Sequence, residues 1–351
     1  MSKIRILPIL FLVLFSCKPV TRIQVLQPAA LTIPEHIQKI ALIDRSKPSG
    51  GWFKNLESFF SGEEYKQDQE GRRRAMESLS KTLASTPRFQ TLTPGIELNG
   101  SSNGRNMLPP LSWYDIRSFC QEYQADGIVC IESFDSDMNS IATPRTVKEK
   151  DKNGNETTKI VYDGRRTGTV YIGWRFYDPK DQRIIDEYRD EDRDEKNSYG
   201  ATSQASAINA LPRSYDIARE IAAKLGSRYG VRIAPVYITI SRTYYKKIKG
   251  EHSEQFEQAT RYAESNEWPK AVNIWERIAS MRNEKESAGK ATYNLAVAAE
   301  VSGLLNKAKQ LATDAYTQFN LKAGKSYARI LQDRIDDQEL LNKQLFVKPK
   351  S

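Results

Sequence analysis

Val170-Tyr171-Ile172-Gly173-Trp174-Arg175-Phe176-Tyr177 sets bulky apolar side chains at every second position. Successive side chains of an extended chain point to opposite faces, so this period of two predicts a half-buried antiparallel strand. Upstream, Asn153-Gly154 is a two-residue hairpin signal, which makes the strand the returning arm of a hairpin within residues 141–178.

Working towards the N-terminus, the pattern changes from hairpin to alternation of strand and helix. Gly127-Ile128-Val129-Cys130-Ile131 and Ile40-Ala41-Leu42-Ile43 are continuous apolar runs, the pattern of strands covered on both faces. Between them, residues 68–85 carry Ala75, Met76, Leu79 and Leu83 at helical spacing, Phe89–Leu92 reads as a short strand, and residues 112–124 read as a second helix with Trp113, Ile116, Phe119, Cys120 and Tyr123 on one side. Downstream, residues 183–189 predict a short strand, residues 204–228 a helix kinked at Pro212, and Val236–Tyr245 a last strand that completes the sheet. The expected fold class is α+β: an N-terminal mixed-sheet α/β-type domain over residues 35–248, followed by an all-α region over 249–351.

That second region contains an internal repeat. Ala259, Tyr262, Asn266, Trp268, Ala271 and Trp275 recur 37 residues later as Ala296, Ala299, Gly303, Leu305, Ala308 and Ala312. The spacing of small and bulky residues, with Tyr293-Asn294-Leu295-Ala296, resembles two tetratricopeptide repeats. The resemblance implies a helical array closed by a capping helix over 322–345, whose first helices line a concave face for a protein partner. Residues placed there by the repeat pattern are Phe256, Thr260 and Glu264 from one repeat and Lys290, Tyr293, Asn294 and Val297 from the next, with Phe256 and Tyr293 as anchors.

The chain starts with Lys3 and Arg5 before an apolar run from Ile6 to Phe15, the arrangement of a signal peptide over residues 1–16. Leu14-Phe15-Ser16-Cys17 resembles the lipobox of bacterial lipoproteins, which implies acylation of Cys17 and a lipidated tether over 17–34. Sorting rules of diderm bacteria then imply a periplasm-facing outer-membrane anchor, because no aspartate follows Cys17. The whole arrangement resembles an uncharacterised lipoprotein family, which brings a location and a fold and no activity.

The formal charge of +9 is concentrated before residue 250, since residues 250–351 carry 15 basic and 14 acidic side chains. An exported protein does not meet the chromosome, so no nucleic-acid partner is expected, and Arg72-Arg73-Arg74 reads as a solvated helix face. Only 2 histidines and 3 cysteines are present, which leaves metal sites and histidine-based catalysis with few residues to use.

Gly100-Ser101-Ser102-Asn103-Gly104 matches a nucleophile elbow but lies between Pro94-Gly95 and Pro109-Pro110, and its only candidate bases, His36 and His252, fall in the tether region and at the domain junction. Asp190, Asp192 and Asp194 imitate a calcium loop that has Glu195 where glycine belongs and Ala201 where glutamate belongs; Asp151, Asn153 and Asn155 fail likewise. Cys120 and Cys130, one on a helix and one on a strand, are expected as buried free thiols. No cofactor, metal or catalytic residue is assigned. The expected function is a non-enzymatic envelope lipoprotein that is held to the membrane by its N-terminal lipid and binds a protein partner through its helical repeats. The alternatives are a hydrolase using carboxylates among Asp126, Glu132, Asp135 and Asp137, or a glycan-binding lipoprotein.

Overall fold

The two apolar runs are the centre of a six-stranded mixed sheet in the computed structural model, which describes residues 19–47, 62–101, 104–150, 152 and 154–346. Cys17 and Ser102 lie outside the described residues. The chain divides into an α+β unit, Leu26–Tyr237 with the residues from Leu341 onward, and a helical unit formed by the residues up to Val25 and by Ile238–Leu340.

In the α+β unit, β2 (Lys39–Lys47) runs parallel to β3 (Gln90–Leu92), β4 (Glu97–Asn99) and β5 (Gly127–Lys150). β5 turns back antiparallel into β6 (Glu156–Asp178), and β6 into β7 (Arg183–Ala201), giving the order β3-β2-β5-β6-β7 with β4 also on β2. The residues of each central strand divide by parity. Ile40, Leu42, Val129, Ile131, Val170, Ile172, Trp174 and Phe176 pack with Ala75, Met76, Leu79 and Leu83 of α1 (Gly62–Ala84) and with Ile217, Ile221 and Leu225 of α4 (Ser214–Ile233). Ala41, Ile43, Ile128, Cys130 and Tyr177 pack on the opposite face with Ile116 and Cys120 of α2 (Trp113–Tyr123). Helices on both faces explain why these strands are continuously apolar. Cys120 and Cys130 are free and buried.

α1 and α4 cross closely because Gly226 has no side chain: a Cβ there would lie 2.0 Å from the Ala75 carbonyl oxygen. Trp174 stacks on Tyr229 of α4 with ring centroids 4.7 Å apart. Pro212 separates two helices, the short α3 (Gln204–Asn209) and α4, where one kinked helix was expected.

Three further expectations need correction. The described part of the expected tether, residues 19–34, is built into the fold, since β1 spans Val20–Gln27 and Ala29 and Ile33 are buried. Within that stretch Gln344 brackets Ala29, accepting from its N–H at 2.9 Å and donating to its carbonyl at 2.8 Å, while Arg88 donates to the Pro34 carbonyl at 2.7 Å. β8 (Val236–Thr243) does not complete the sheet; it pairs with β1 in a separate two-stranded ribbon. Arg73 and Arg74 are exposed and paired with Glu70 and Glu77, but Arg72 is turned inward, its Nε 3.0 Å from Asp44 Oδ2.

The helical unit contains α5 (Ser253–Glu264), α6 (Trp268–Ala279), α7 (Lys285–Val301), α8 (Leu305–Thr317) and most of α9 (Lys322–Gln344). The 37-residue repeat is carried by the backbone as well as by side chains. Asn266 and Gly303 both have positive φ, 60° and 76°. At the two turns Glu267 N–H donates to the Tyr262 carbonyl at 2.8 Å and Leu304 N–H to the Ala299 carbonyl at 2.9 Å. Glycine adopts this left-handed conformation freely and asparagine tolerates it, which is why those residue types occupy the turns. No helix of the described residues is long and apolar enough to cross a membrane.

Candidate functional site

The carboxyl ends of the parallel strands are the place to look for a site in a sheet of this kind. Glu132 lies there at a bulge in β5, between the pairs Ile131↔Trp174 and Ser133↔Gly173, and a bulge re-aims the side chain it carries. The side chain is fully buried. Its Oε1 accepts from the Tyr177 hydroxyl, and its Oε2 lies 2.9 Å from Arg45 Nη1 and 3.2 Å from Arg175 Nη1. The same guanidiniums hold the overlying loop, Arg175 donating to the Leu108 carbonyl at 2.7 Å and Arg45 to the Pro109 carbonyl at 2.8 Å. Leu111 N–H closes the set on the Tyr177 oxygen at 3.3 Å. Burial, with Glu132 beside it, pushes the Tyr177 hydroxyl far above its ordinary value. Both carboxylate oxygens are occupied, so the centre is a tie between sheet and loop.

The other expected carboxylates do not join it. Asp126 Oδ2 accepts from Gln38 N–H at 3.0 Å and Lys39 N–H at 2.8 Å, at the opposite end of β5, and Asp135 and Asp137 share Arg105. A two-carboxylate mechanism needs both groups flanking one substrate. Asp190, Asp192 and Asp194 form a ladder along β7 towards α4, with Arg228 2.9 Å from Asp190 and 3.1 Å from Asp192, and Lys196 3.0 Å from Asp194. Burial pushes the Cys120 thiol up to about 12 and Cys130 well above its ordinary value, which suits core packing rather than thiolate chemistry.

His36, Asp178 and Asp181 bring three potential metal ligands within 4.8 Å of one another. Asp178 already accepts from the backbone N–H of Lys180 at 3.1 Å and of Asp181 at 3.3 Å, and Arg183 Nε lies 3.4 Å from its other oxygen. A guanidinium and two amides facing the carboxylate fit a turn-closing aspartate better than a cation ligand.

Asp68 of α1 is unusual among the carboxyls. Burial pushes it up to about 7; the Ser136 hydroxyl that donates to it opposes the rise, Asp135 adds to it and Arg72 opposes it. The native state therefore holds a proton that the unfolded chain releases near pH 4, and stability attributable to this group falls as pH rises from about 4 to about 7. Asp68→Asn keeps an acceptor for Ser136 and removes the charge. It should match the parent near pH 4 and exceed it by roughly 2–4 kcal/mol above pH 7. Urea unfolding at both pH values checks this, and an equal difference at both would refute it.

In the helical unit the expected partner face is largely filled by the chain itself. Tyr244–Ile248 runs as a strap across α5 and α7. Tyr244 meets Trp268 and Trp275 at ring-centroid distances of 5.9 and 6.1 Å, and Thr260 Oγ1 donates to the Lys246 carbonyl at 2.9 Å. Asn294 brackets Tyr245, accepting from its N–H and donating to its carbonyl, each at 2.8 Å. Phe256, Thr260, Asn294 and Val297 are buried and Tyr293 is half-buried between Tyr245 and Tyr327, so these five are corrected from partner contacts to interior packing. Glu264 stays exposed, and Lys290 pairs with Glu286 at 2.6 Å. Beneath the strap Arg242 grips the buried Glu300 at 2.7 and 2.9 Å, and Tyr327 donates to the same carboxylate at 2.6 Å.

An open cleft of about 340 Å³ lies instead between α5 and α6, lined by Gln255, Gln258, Tyr262, Lys270, Asn273, Ile274 and Arg277. It contains two cations, three amides and no carboxylate in its lining. Lys270 Nζ stands 5.4 Å from the Tyr262 ring centroid and also pairs with Glu267, while Arg277 donates through Nε to the Asn273 carbonyl at 3.2 Å. The signal for it was the polar outer side of this helix pair, which the repeat pattern leaves unassigned.

Residues 37–245 match the family model described as Domain of unknown function (DUF8603), and residues 257–337 match a second, Domain of unknown function (DUF6340). No curated protein matches the chain. Among solved structures, two PelC dodecamers from Paraburkholderia phytofirmans are each 9% identical. One, a methionine-substituted form, has a TM-score of 0.22 over 60% of this chain and 98% of that chain; the other has 0.20 over 61% and 98%. A neuraminyllactose-binding hemagglutinin homolog from Helicobacter pylori is 12% identical with a TM-score of 0.26, over 57% of this chain and 84% of that one.

Proposed function

Because this chain belongs to the family described as Domain of unknown function (DUF8603), which brings no activity with it, we propose from its own residues that it is a non-enzymatic envelope lipoprotein. It is anchored through Cys17 to the outer membrane of a diderm bacterium, facing the periplasm, and its tetratricopeptide-like helices bind a protein partner. The repeated turn geometry at Asn266 and Gly303 supports the repeat reading. The observation that carries the binding reading is the α5–α6 cleft, whose cations and amides suit an acidic segment of the partner. The occupation of Glu132 by Arg45, Arg175 and Tyr177, the place of Asp126 at the other end of β5 and the pairing of Asp135 and Asp137 with Arg105 weigh against the hydrolase alternative.

Lys270 and Arg277 are exposed, so reversing them leaves the fold intact. A hot-spot cation costs about 2 kcal/mol or more on removal, roughly 30-fold in affinity. Lys270→Glu with Arg277→Glu should therefore abolish partner recovery by crosslinking in native membranes without moving the melting temperature. Undiminished recovery of the same partner would show that binding lies elsewhere.

A further inference from the structure

We propose that the strap lysines Lys246, Lys247 and Lys249 form a docking surface for anionic lipid headgroups, holding the helical unit against the bilayer that carries the acyl anchor. The inference rests on the reading of Cys17 as the lipidated residue and adds to it a second membrane contact.

The strap fixes where these charges point. Tyr244 and Ile248 are buried among the helices, the Lys246 carbonyl accepts from Thr260 and the Ile248 carbonyl from Ser253 Oγ at 2.9 Å. With those atoms held, Lys246, Lys247 and Lys249 are exposed and form no ion pair among the described residues; the opposing charge of Glu286 is paired with Lys290 and also feels Lys249. From Lys246 to Glu251 the chain carries three basic residues and one acidic one, Arg242 being taken up by the buried Glu300.

The same strap sits beside the start of the mature chain. Tyr244 N–H donates to the Pro19 carbonyl at 3.2 Å, and β1 begins at the next residue, Val20. Cys17 is two residues before Pro19, at most roughly 7 Å of chain, and Lys246 is two residues beyond Tyr244, a similar reach. A tether of the expected length over 17–34 would have let the folded body drift away from the headgroups. With Lys18 and Pro19 alone between the acylated residue and a strand, the lysines stay within a few Debye lengths of about 8 Å from the membrane surface.

Each such charge near an anionic surface raises partitioning about fivefold, so three together give roughly a hundredfold. The acyl chains already hold the protein firmly, so the basic patch acts on how the helical unit lies against the surface. The chain without its lipid, as Cys17→Ser, is titrated with vesicles of phosphatidylglycerol and phosphatidylcholine and with phosphatidylcholine vesicles alone. Binding to the anionic vesicles only, weakened by salt and lowered roughly a hundredfold or more by Lys246→Glu, Lys247→Glu and Lys249→Glu together, which not only remove three cations but add three anions, is the expected result. The same charge change at exposed residues of the hairpin, Lys148→Glu, Lys150→Glu and Lys159→Glu, should change it far less. Equal losses in the two triple variants, or no loss in the strap variant, would overturn the proposal. Melting curves confirm that both variants are folded. The anchor itself is judged separately, by whether Cys17→Ser releases the protein from native membranes, so failure of one reading is not mistaken for failure of the other.

Discussion

Glu132→Gln should cost the α+β unit about 3–5 kcal/mol, because it leaves Arg45 facing a neutral amide and leaves the nearly buried Arg175 with the half-exposed Glu187, 2.6 Å away, as its one remaining carboxylate. For a unit of this size that lowers the melting temperature by roughly 6–20 °C. The loop at Leu108 and Pro109, tied down through Arg175 and Arg45, should become the first site of proteolytic cleavage. Tyr177→Phe removes one donor and should cost about 1–2 kcal/mol. A Glu132→Gln protein within 1 kcal/mol of the parent in urea would mean that the carboxylate does not hold the loop.

The second large effect is expected at the helix crossing. Gly226→Leu introduces a good helix former, so intrinsic propensity favours the variant and any loss must come from the contact. The first added carbon meets the Ala75 carbonyl oxygen at 2.0 Å, a backbone atom that yields only if α1 and α4 separate. Overpacking of this kind costs about 3 kcal/mol, and separation would also loosen Leu79 and Tyr229 from the core. Lys224→Leu, two residues away and exposed on the same helix, loses only a 3.9 Å surface pair with Asp194 and should stay within about 1 kcal/mol. Similar melting temperatures for the two variants would contradict the close crossing.

How much of this was readable in the sequence follows from what each signal depends on. Runs such as Ile40–Ile43 and Gly127–Ile131 are apolar on both sides because helices cover both faces, so they identify central strands without knowledge of the partner. The 37-residue repeat was equally plain, since it is a local pattern copied along the chain. The destination of β8 was not: its alternation is the same whether it joins the large sheet or pairs with β1. β7 was read as ending near residue 189 because Asp190, Asp192 and Asp194 look like a turn, and only Arg228, Lys196 and Lys224 make those charges compatible with a strand. Glu132 looked like a solvated strand end. The apolar Ile131 and Phe134 around it were the available sign that it was interior. The seven partner residues were chosen from a repeat pattern that takes no account of an adjoining segment, and Tyr244–Ile248 is that segment.

The pairing of β1 with β8 also sets an order of events during synthesis. Val20 emerges first, yet its partner strand begins at Val236, more than two hundred residues later. Closing a loop of that length carries an entropic cost that grows with the logarithm of its length, and contacts of such separation form slowly. The α+β unit, contained almost wholly between the two strands, has its sheet complete before the ribbon can close. A chain stalled before Val236 would therefore carry β1 as an unpaired edge, the kind of strand that templates association with another chain. Ribbon closure is thus the late step of maturation, and slow-exchanging amides should appear in β5 and β6 before they appear in β1.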